Sequence, residues 1–121
     1  MTTGCFDFDG VLASYDGWKD GEIGEPIPAG VELVKLCREA GHKIIIATCR
    51  THPKHGTSHV QQLKIICWLT VNRVSFDWLE TEGKPVADYY VDDRGLWFNQ
   101  EKGYDTKYAD ELFSIIKQRV S

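Results

Sequence analysis

The run Lys43-Ile44-Ile45-Ile46-Ala47 constrains the fold more than any other stretch. Its interior, Ile44-Ile45-Ile46, is an unbroken β-branched apolar run with no polar residue at alternate positions. A strand with one wet face alternates. A strand covered on both faces reads as an unbroken apolar run, as in a parallel sheet with other elements packed over it. With His42 it predicts a strand over 42–47, ending in Thr48-Cys49-Arg50. The segment before it carries Val31, Leu33, Val34, Leu36, Cys37 and Ala40 as a wide apolar stripe, with Pro28 near its start and Gly41 just after its end. That pattern predicts a helix over 29–40, stopped by the glycine.

The other segments repeat this alternation of strand and helix. Thr3 to Phe8 reads as a first strand with an acidic tip, Asp7-Phe8-Asp9-Gly10. Residues 13–28 contain Gly17, Gly21, Gly24, Pro26 and Pro28, and predict a loop or short hairpin with a turn near Asp20-Gly21. A helix follows over 59–71, with Val60, Leu63, Cys67 and Val71 on one stripe. Val74, Phe76 and Trp78 alternate with polar residues and predict a short third strand, with Asp77 in its middle. Ala87 to Val91 is a fourth, ending in Asp92-Asp93-Arg94-Gly95. After a loop containing Gly and Asn, 106–120 predicts a closing helix, capped by Asp105 or Thr106, with Tyr108, Leu112, Phe113 and Ile116 inward. The order β-loop-α-β-α-β-β-α implies an α/β fold, an open parallel sheet with flanking helices of the Rossmann-like type.

With 121 residues, 42% of them hydrophobic and 26% charged, the chain suits one soluble domain over 1–121 with a real core. A net charge of −4 gives no global pull toward nucleic acid or an anionic membrane. The longest apolar runs, within 43–47 and 65–69, are too short to span a bilayer. No charged-then-apolar leader opens the chain, and the expected compartment is the cytoplasm. Cys5, Cys37, Cys49 and Cys67 form no Cys-x-x-Cys pair and are expected as reduced, mostly buried thiols.

Three of the predicted strands end in polar residues: Asp7 and Asp9, then Thr48 and Arg50, then Asp92 and Asp93. In a parallel sheet those ends lie along one edge, where open α/β folds bind ligands. In a strand, residues i and i+2 share a face, so Asp7 and Asp9 lean the same way. Two such carboxylates repel unless a divalent cation or a shared proton compensates. Taken alone, Asp7 to Gly10 reads equally well as a surface Asp-x-Asp-Gly turn. Turn formation does not, however, call for Asp-Asp after Tyr-Tyr-Val.

Over Gly4 to Gly95 the chain resembles the haloacid dehalogenase superfamily of phosphatases. Asp7-Phe8-Asp9-Gly10-Val11 resembles its first motif, Ile45-Ile46-Ala47-Thr48 its second, Lys84 its third and Val91-Asp92-Asp93 its fourth. The Thr-x-Arg and Asp-Asp-Arg forms look most like small capless members, and the Thr-x-Arg form also resembles, more weakly, polynucleotide-end phosphatases. The resemblance implies a Mg²⁺-dependent hydrolase of phosphomonoesters. Asp7 would be the nucleophile that forms an aspartyl-phosphate, and Asp9 the general acid and base. Mg²⁺ would be held by Asp7, the backbone carbonyl of Asp9, and Asp92 with or without Asp93. Thr48 and Lys84 would bind the phosphate oxygens, with Gly10 and Arg50 beside them. Arg50 and Arg94 read equally as anion ligands or as partners of Asp92 or Asp93.

Superfamily members often carry an inserted cap domain. Here the first insertion point offers only 13–28, and the second only one helix and one short strand, so no cap is expected. The site would be open apart from a small flap with Tyr15 and Trp18. It would suit a bulky phosphorylated substrate, either a small molecule or a nucleic-acid end. It would also leave room for a partner or a second copy to complete it, with no role for a membrane. Two readings compete. A non-catalytic phosphate-binding adaptor could keep this fold, and a phospho-accepting receiver also uses an acidic pair. In a receiver the pair ends the first strand and the nucleophile the third, the reverse of the order here. Cys49, His52, His55 and His59 could ligate zinc, but their spacing matches no common finger, and a polar substrate loop is the simpler reading.

Overall fold

The structure, a computed structural model, describes residues 1–50, 58–81, 85–92 and 95–120. Its strands are β1 (Thr3–Asp7), β2 (Lys43–Ala47), β3 (Trp78–Glu80), β4 (Tyr89–Asp92) and β5 (Leu96–Trp97). Its helices are α1 (Pro28–Glu39), α2 (Ser58–Val71) and α3 (Lys107–Val120), with a 3₁₀ turn at Lys102–Tyr104. The strands form one sheet in the order β3-β2-β1-β4-β5, and every neighbouring pair is parallel. This is a Rossmann-like α/β fold. No second domain is inserted among the described residues, as expected from the short connections. No described helix is long and apolar enough to cross a membrane.

The core follows from the strand period. Phe6, Ile44, Ile46, Tyr89 and Val91 stand at alternate positions and share one sheet face. They meet Leu33 and Cys37 of α1, Ile65 and Leu69 of α2, and Leu112 and Ile116 of α3 in one buried cluster. On the opposite face Cys5 and Ile45 are buried as well. The central strands are therefore covered on both sides, as their unbroken apolar runs require. Helix α1 also packs against α3. It approaches the turn after β1 so closely that a Cβ on Gly30 would overlap the Val11 carbonyl oxygen.

Four expectations need correction. The third strand starts at Trp78, not Val74. Asp77 is not mid-strand but lies just before the strand. Its N–H donates to the Ile44 carbonyl at 2.8 Å, and its carboxylate accepts from Ile44 N–H at 2.7 Å and from Arg38 Nη1 at 2.9 Å. These contacts tie β3 to β2 and α1. The Ile44 amide, followed by the Arg38 guanidinium, holds the Asp77 carboxyl below its ordinary range. Second, Leu96-Trp97 adds a fifth strand where the sequence predicts loop. Third, the stripe of Val60, Leu63, Cys67 and Val71 on α2 faces outward, and Gln61, Ile65 and Leu69 are the buried positions. Fourth, all four cysteines are free, but only Cys5 and Cys37 are buried.

The segment 13–28 is a hairpin-like flap, as predicted. Ala13 bridges Pro26, and Ser14 N–H donates to the Glu25 carbonyl at 2.8 Å. Its tip is a tight turn closed by Glu22 N–H to the Lys19 carbonyl at 3.0 Å. Asp20 and Gly21 both take positive φ there, +53° and +81°, the pattern of a hairpin turn with the strands' own twist. At the far end of the chain, Asp105 caps α3 through Lys107 N–H at 3.0 Å.

Candidate active site

In this strand order β2 and β3 lie on one side of β1, and β4 and β5 on the other. The direction of winding reverses beside β1, and open α/β sheets bind ligands at that reversal, outside the carboxyl ends of the strands. Asp7 ends β1 and pairs in register with Ala47, the last residue of β2. Phe6 pairs with Val91, so Asp7 and Asp92 come next in register on neighbouring strands. Adjacent strands lie about 4.8 Å apart, so these two carboxylates belong to one site. Thr48 follows β2 on the other side of Asp7. Phe8 N–H still donates to the Ala47 carbonyl at 3.0 Å, one step beyond the strand.

The chain then turns sharply. The Phe8 carbonyl accepts from both Leu12 and Ala13 N–H at 3.0 Å, and Gly10 takes φ +86°, a conformation that an L side chain rarely adopts. This turn carries Asp9 and Gly10 to the mouth of a cavity of about 500 Å³. Asp7, Asp9, Gly10, Thr48 and Asp92 all line it. Asp92 is 5% exposed, and its Oδ1 accepts from Gly95 N–H. Thr48 Oγ1 accepts from Arg50 N–H at 3.0 Å, which shapes the loop after β2.

Arg50 is the cation that meets this acidic set, and its place is specific. Its side chain is 2% exposed, against 14% for Asp9. Nε donates to both Asp9 oxygens, at 3.0 and 2.8 Å, and Nη2 donates to Oδ1 at 2.9 Å. Nη2 also donates to the Glu22 carbonyl of the flap at 3.1 Å. The Trp18 ring lies beneath the guanidinium, 5.3 Å from its carbon. Nη1 is buried with no hydrogen-bond partner among the described residues. The sequence leaves Arg50 open between anion ligand and partner of Asp92 or Asp93. The guanidinium is turned on Asp9 instead.

Lys84, Asp93 and Arg94 lie outside the described residues, as do His52 and His55. Among the described residues no group of three or more His, Cys, Asp or Glu is clustered to hold a metal. The donors on hand are the Asp7 and Asp92 carboxylates and, in the turn beside them, the Asp9 carbonyl. This all-oxygen set fits Mg²⁺, which uses few protein ligands and keeps its waters. Cys49 is exposed at the cavity wall, and His59 is exposed at the start of α2.

Sequence reasoning missed the far wall. Trp97, Phe98, Asn99, Gln100 and Glu101 all line the cavity, as does Tyr15 from the flap. The apolar run Leu96-Trp97-Phe98 directly after Gly95 was the available signal for a strand there. The flap and this wall are joined. Tyr15 N–H donates to Gln100 Oε1 at 3.2 Å, and Ser14 Oγ lies 2.6 Å from the Tyr104 hydroxyl.

The fold recurs in solved structures. A conserved protein from Bacteroides thetaiotaomicron superposes with a TM-score of 0.67 at 22% identity, over 98% of this chain and 92% of that one. A crystal structure of a target protein from Vibrio cholerae gives a TM-score of 0.58 at 22% identity, over 96% and 99%. At that identity the likeness is one of fold alone. No family model matches the chain, and no curated protein matches it.

Proposed function

We propose that the protein is a Mg²⁺-dependent phosphomonoesterase of the haloacid dehalogenase type, without a cap, working through an aspartyl-phosphate on Asp7. The observation that carries this reading is the register of Asp7 beside Asp92 at the sheet's reversal point, with Thr48 on the next strand end. Paired carboxylates at that position are costly to hold together without a cation. Their order along the chain is the one the sequence resemblance requires.

Asp7 would attack phosphorus through a carboxylate oxygen as the bond to the leaving oxygen breaks. Asp9 would give that oxygen its proton. Water would then attack the aspartyl-phosphate and lose a proton to Asp9, releasing phosphate and restoring Asp7. Thr48 donates its hydroxyl to a phosphate oxygen in this scheme, and Lys84 its ammonium. Asp7, Asp92 and the Asp9 carbonyl, with Asp93 nearby in sequence, would hold Mg²⁺, which would supply the positive charge that lets a dianion approach these carboxylates. Arg50 donates to both Asp9 oxygens, so one of them must leave the guanidinium to reach the leaving group.

The test is hydrolysis of phenyl phosphate with and without Mg²⁺. Turnover should require the metal, and Asp7→Asn should lower it by about 10³-fold or more. Asp9→Asn should also lose turnover while Mg²⁺ binding, read by calorimetry, persists. Full activity in Asp7→Asn, or none in the wild type with any divalent metal, rejects the proposal.

A further inference from the structure

We infer that Tyr15 and Trp97 form a stacking rim, and that the substrate is a phosphomonoester whose leaving group carries one planar aromatic ring. This rests on the phosphomonoesterase reading and names the substrate class for the same site. Tyr15 is 41% exposed and Trp97 61% exposed, and both line the cavity that holds Asp7, Asp9 and Asp92. Strand geometry explains why Trp97 stands out. Leu96 and Phe98 are buried at 6% and 5%, so Trp97 between them must face the other way. It pairs in register with Asp92 and so projects on the same sheet face as that carboxylate.

The rim is braced. The Tyr15–Gln100 and Ser14–Tyr104 hydrogen bonds fasten the flap to the segment that follows Trp97. Both rings therefore belong to one tied wall, although one comes from the flap and the other from the sheet edge. A bare phosphate would leave most of the 500 Å³ cavity empty. Exposed rings at the mouth of a polar site supply flat apolar area at low entropic cost. Asn99 and Gln100 beside them add amide groups suited to the edge of a heteroaromatic ring.

The rim narrows the class further. Arg50 already balances Asp9, and Glu101 adds a further carboxylate to the cavity wall beside Gln100. Two rings frame room for one planar ring, so the geometry favours a small aromatic monoester, of the size of a nucleoside monophosphate.

The decisive comparison is benzyl phosphate against cyclohexylmethyl phosphate. Both release a primary alcohol of similar acidity, so their intrinsic reactivities nearly match and the rings differ chiefly in planarity. The wild type should favour benzyl phosphate about tenfold in kcat/KM, mainly through KM. Trp97→Leu and Tyr15→Leu keep apolar bulk and should each bring that ratio toward one. A wild-type ratio near one, or a ratio that survives both substitutions, overturns the inference while leaving the hydrolase intact. If no ester is hydrolysed the hydrolase reading fails, and the rim is then judged by binding alone. Benzylphosphonate should quench tryptophan fluorescence at lower concentration than cyclohexylmethylphosphonate, and equal affinities overturn it.

Discussion

At the scale of single residues, the Arg50–Asp9 pair dominates the site. Three hydrogen bonds of 2.8 to 3.0 Å join side chains that are 2% and 14% exposed. Removing one partner of a buried pair leaves an uncompensated charge and costs about 3 kcal/mol or more, whereas removing both costs less than the sum. Arg50→Ala and Asp9→Asn should therefore couple. Urea unfolding of the two single variants and the double variant should give an interaction energy of about 1–3 kcal/mol, and additive losses would show that the pair does not act as a unit. The sequence allows an ion pair for Arg50 but with a different carboxylate. Which acid it meets depends on how the loop after β2 folds over the turn after β1, a contact between residues 41 apart that no local pattern encodes. Asp7, Asp9, Thr48 and Asp92 are legible because each ends, or lies just past, an apolar strand. Tyr15 is legible only as a flap residue, and Trp97 only as part of the apolar run Leu96-Trp97-Phe98, which signals a strand but not its place at the site.

At the scale of elements, α2 shows why a helix can be located correctly and still be turned the wrong way. Apolar residues occur around its whole circumference, so a period of 3.6 cannot choose among stripes. The sheet chooses Ile65 and Leu69, both fully buried, with Trp68 edge-on to Phe8 at 5.1 Å. Leu63 is left 63% exposed. Ile65→Ala should cost about 2–5 kcal/mol of unfolding free energy, and Leu63→Ala should change it by within about 0.5 kcal/mol. Reversed magnitudes would restore the stripe read from sequence. Helix α1 supplies the complementary case. Ala is a better helix former than Gly by about 1 kcal/mol, so local propensity says Gly30→Ala should stabilise. A Cβ there would overlap the Val11 carbonyl, and α1 would have to move off the turn that carries Asp9 and Gly10. The variant should unfold at lower urea than the wild type, with overpacking costing about 1–3 kcal/mol.

For the whole molecule, the two edges of the sheet divide the labour. The carboxyl ends of the strands gather the acids of the site. The amino ends hold a buried polar cluster in which His42 Nδ1 and the Tyr89 hydroxyl lie 2.8 Å apart. Burial pushes the Cys37 thiol up to about 11 and raises the Tyr89 hydroxyl too, so both are neutral at physiological pH. Parallel pairing is legible from unbroken apolar runs, but this cluster is not, because Cys37 of α1, Tyr89 of β4 and His42 in the link before β2 are brought together only by the sheet. The cluster makes stability depend on pH in a definite direction. Burial lowers the His42 pKa below its ordinary 6.5, with Asp88 opposing that shift. The folded state therefore favours neutral imidazole, while the unfolded chain takes up a proton as pH falls below about 6.5. The stabilisation is complete above that pH and is lost as pH falls through the folded value. Asp77, also lowered from its ordinary range, loses its contribution only in more acidic solution, as pH falls below 3.8. Urea midpoints should decline from pH 7.5 to pH 5 in the wild type, and less steeply in His42→Asn once its lower starting stability is subtracted. Equal slopes in the two proteins would mean that His42 takes up its proton as readily folded as unfolded, and that this edge of the sheet is not sealed from water.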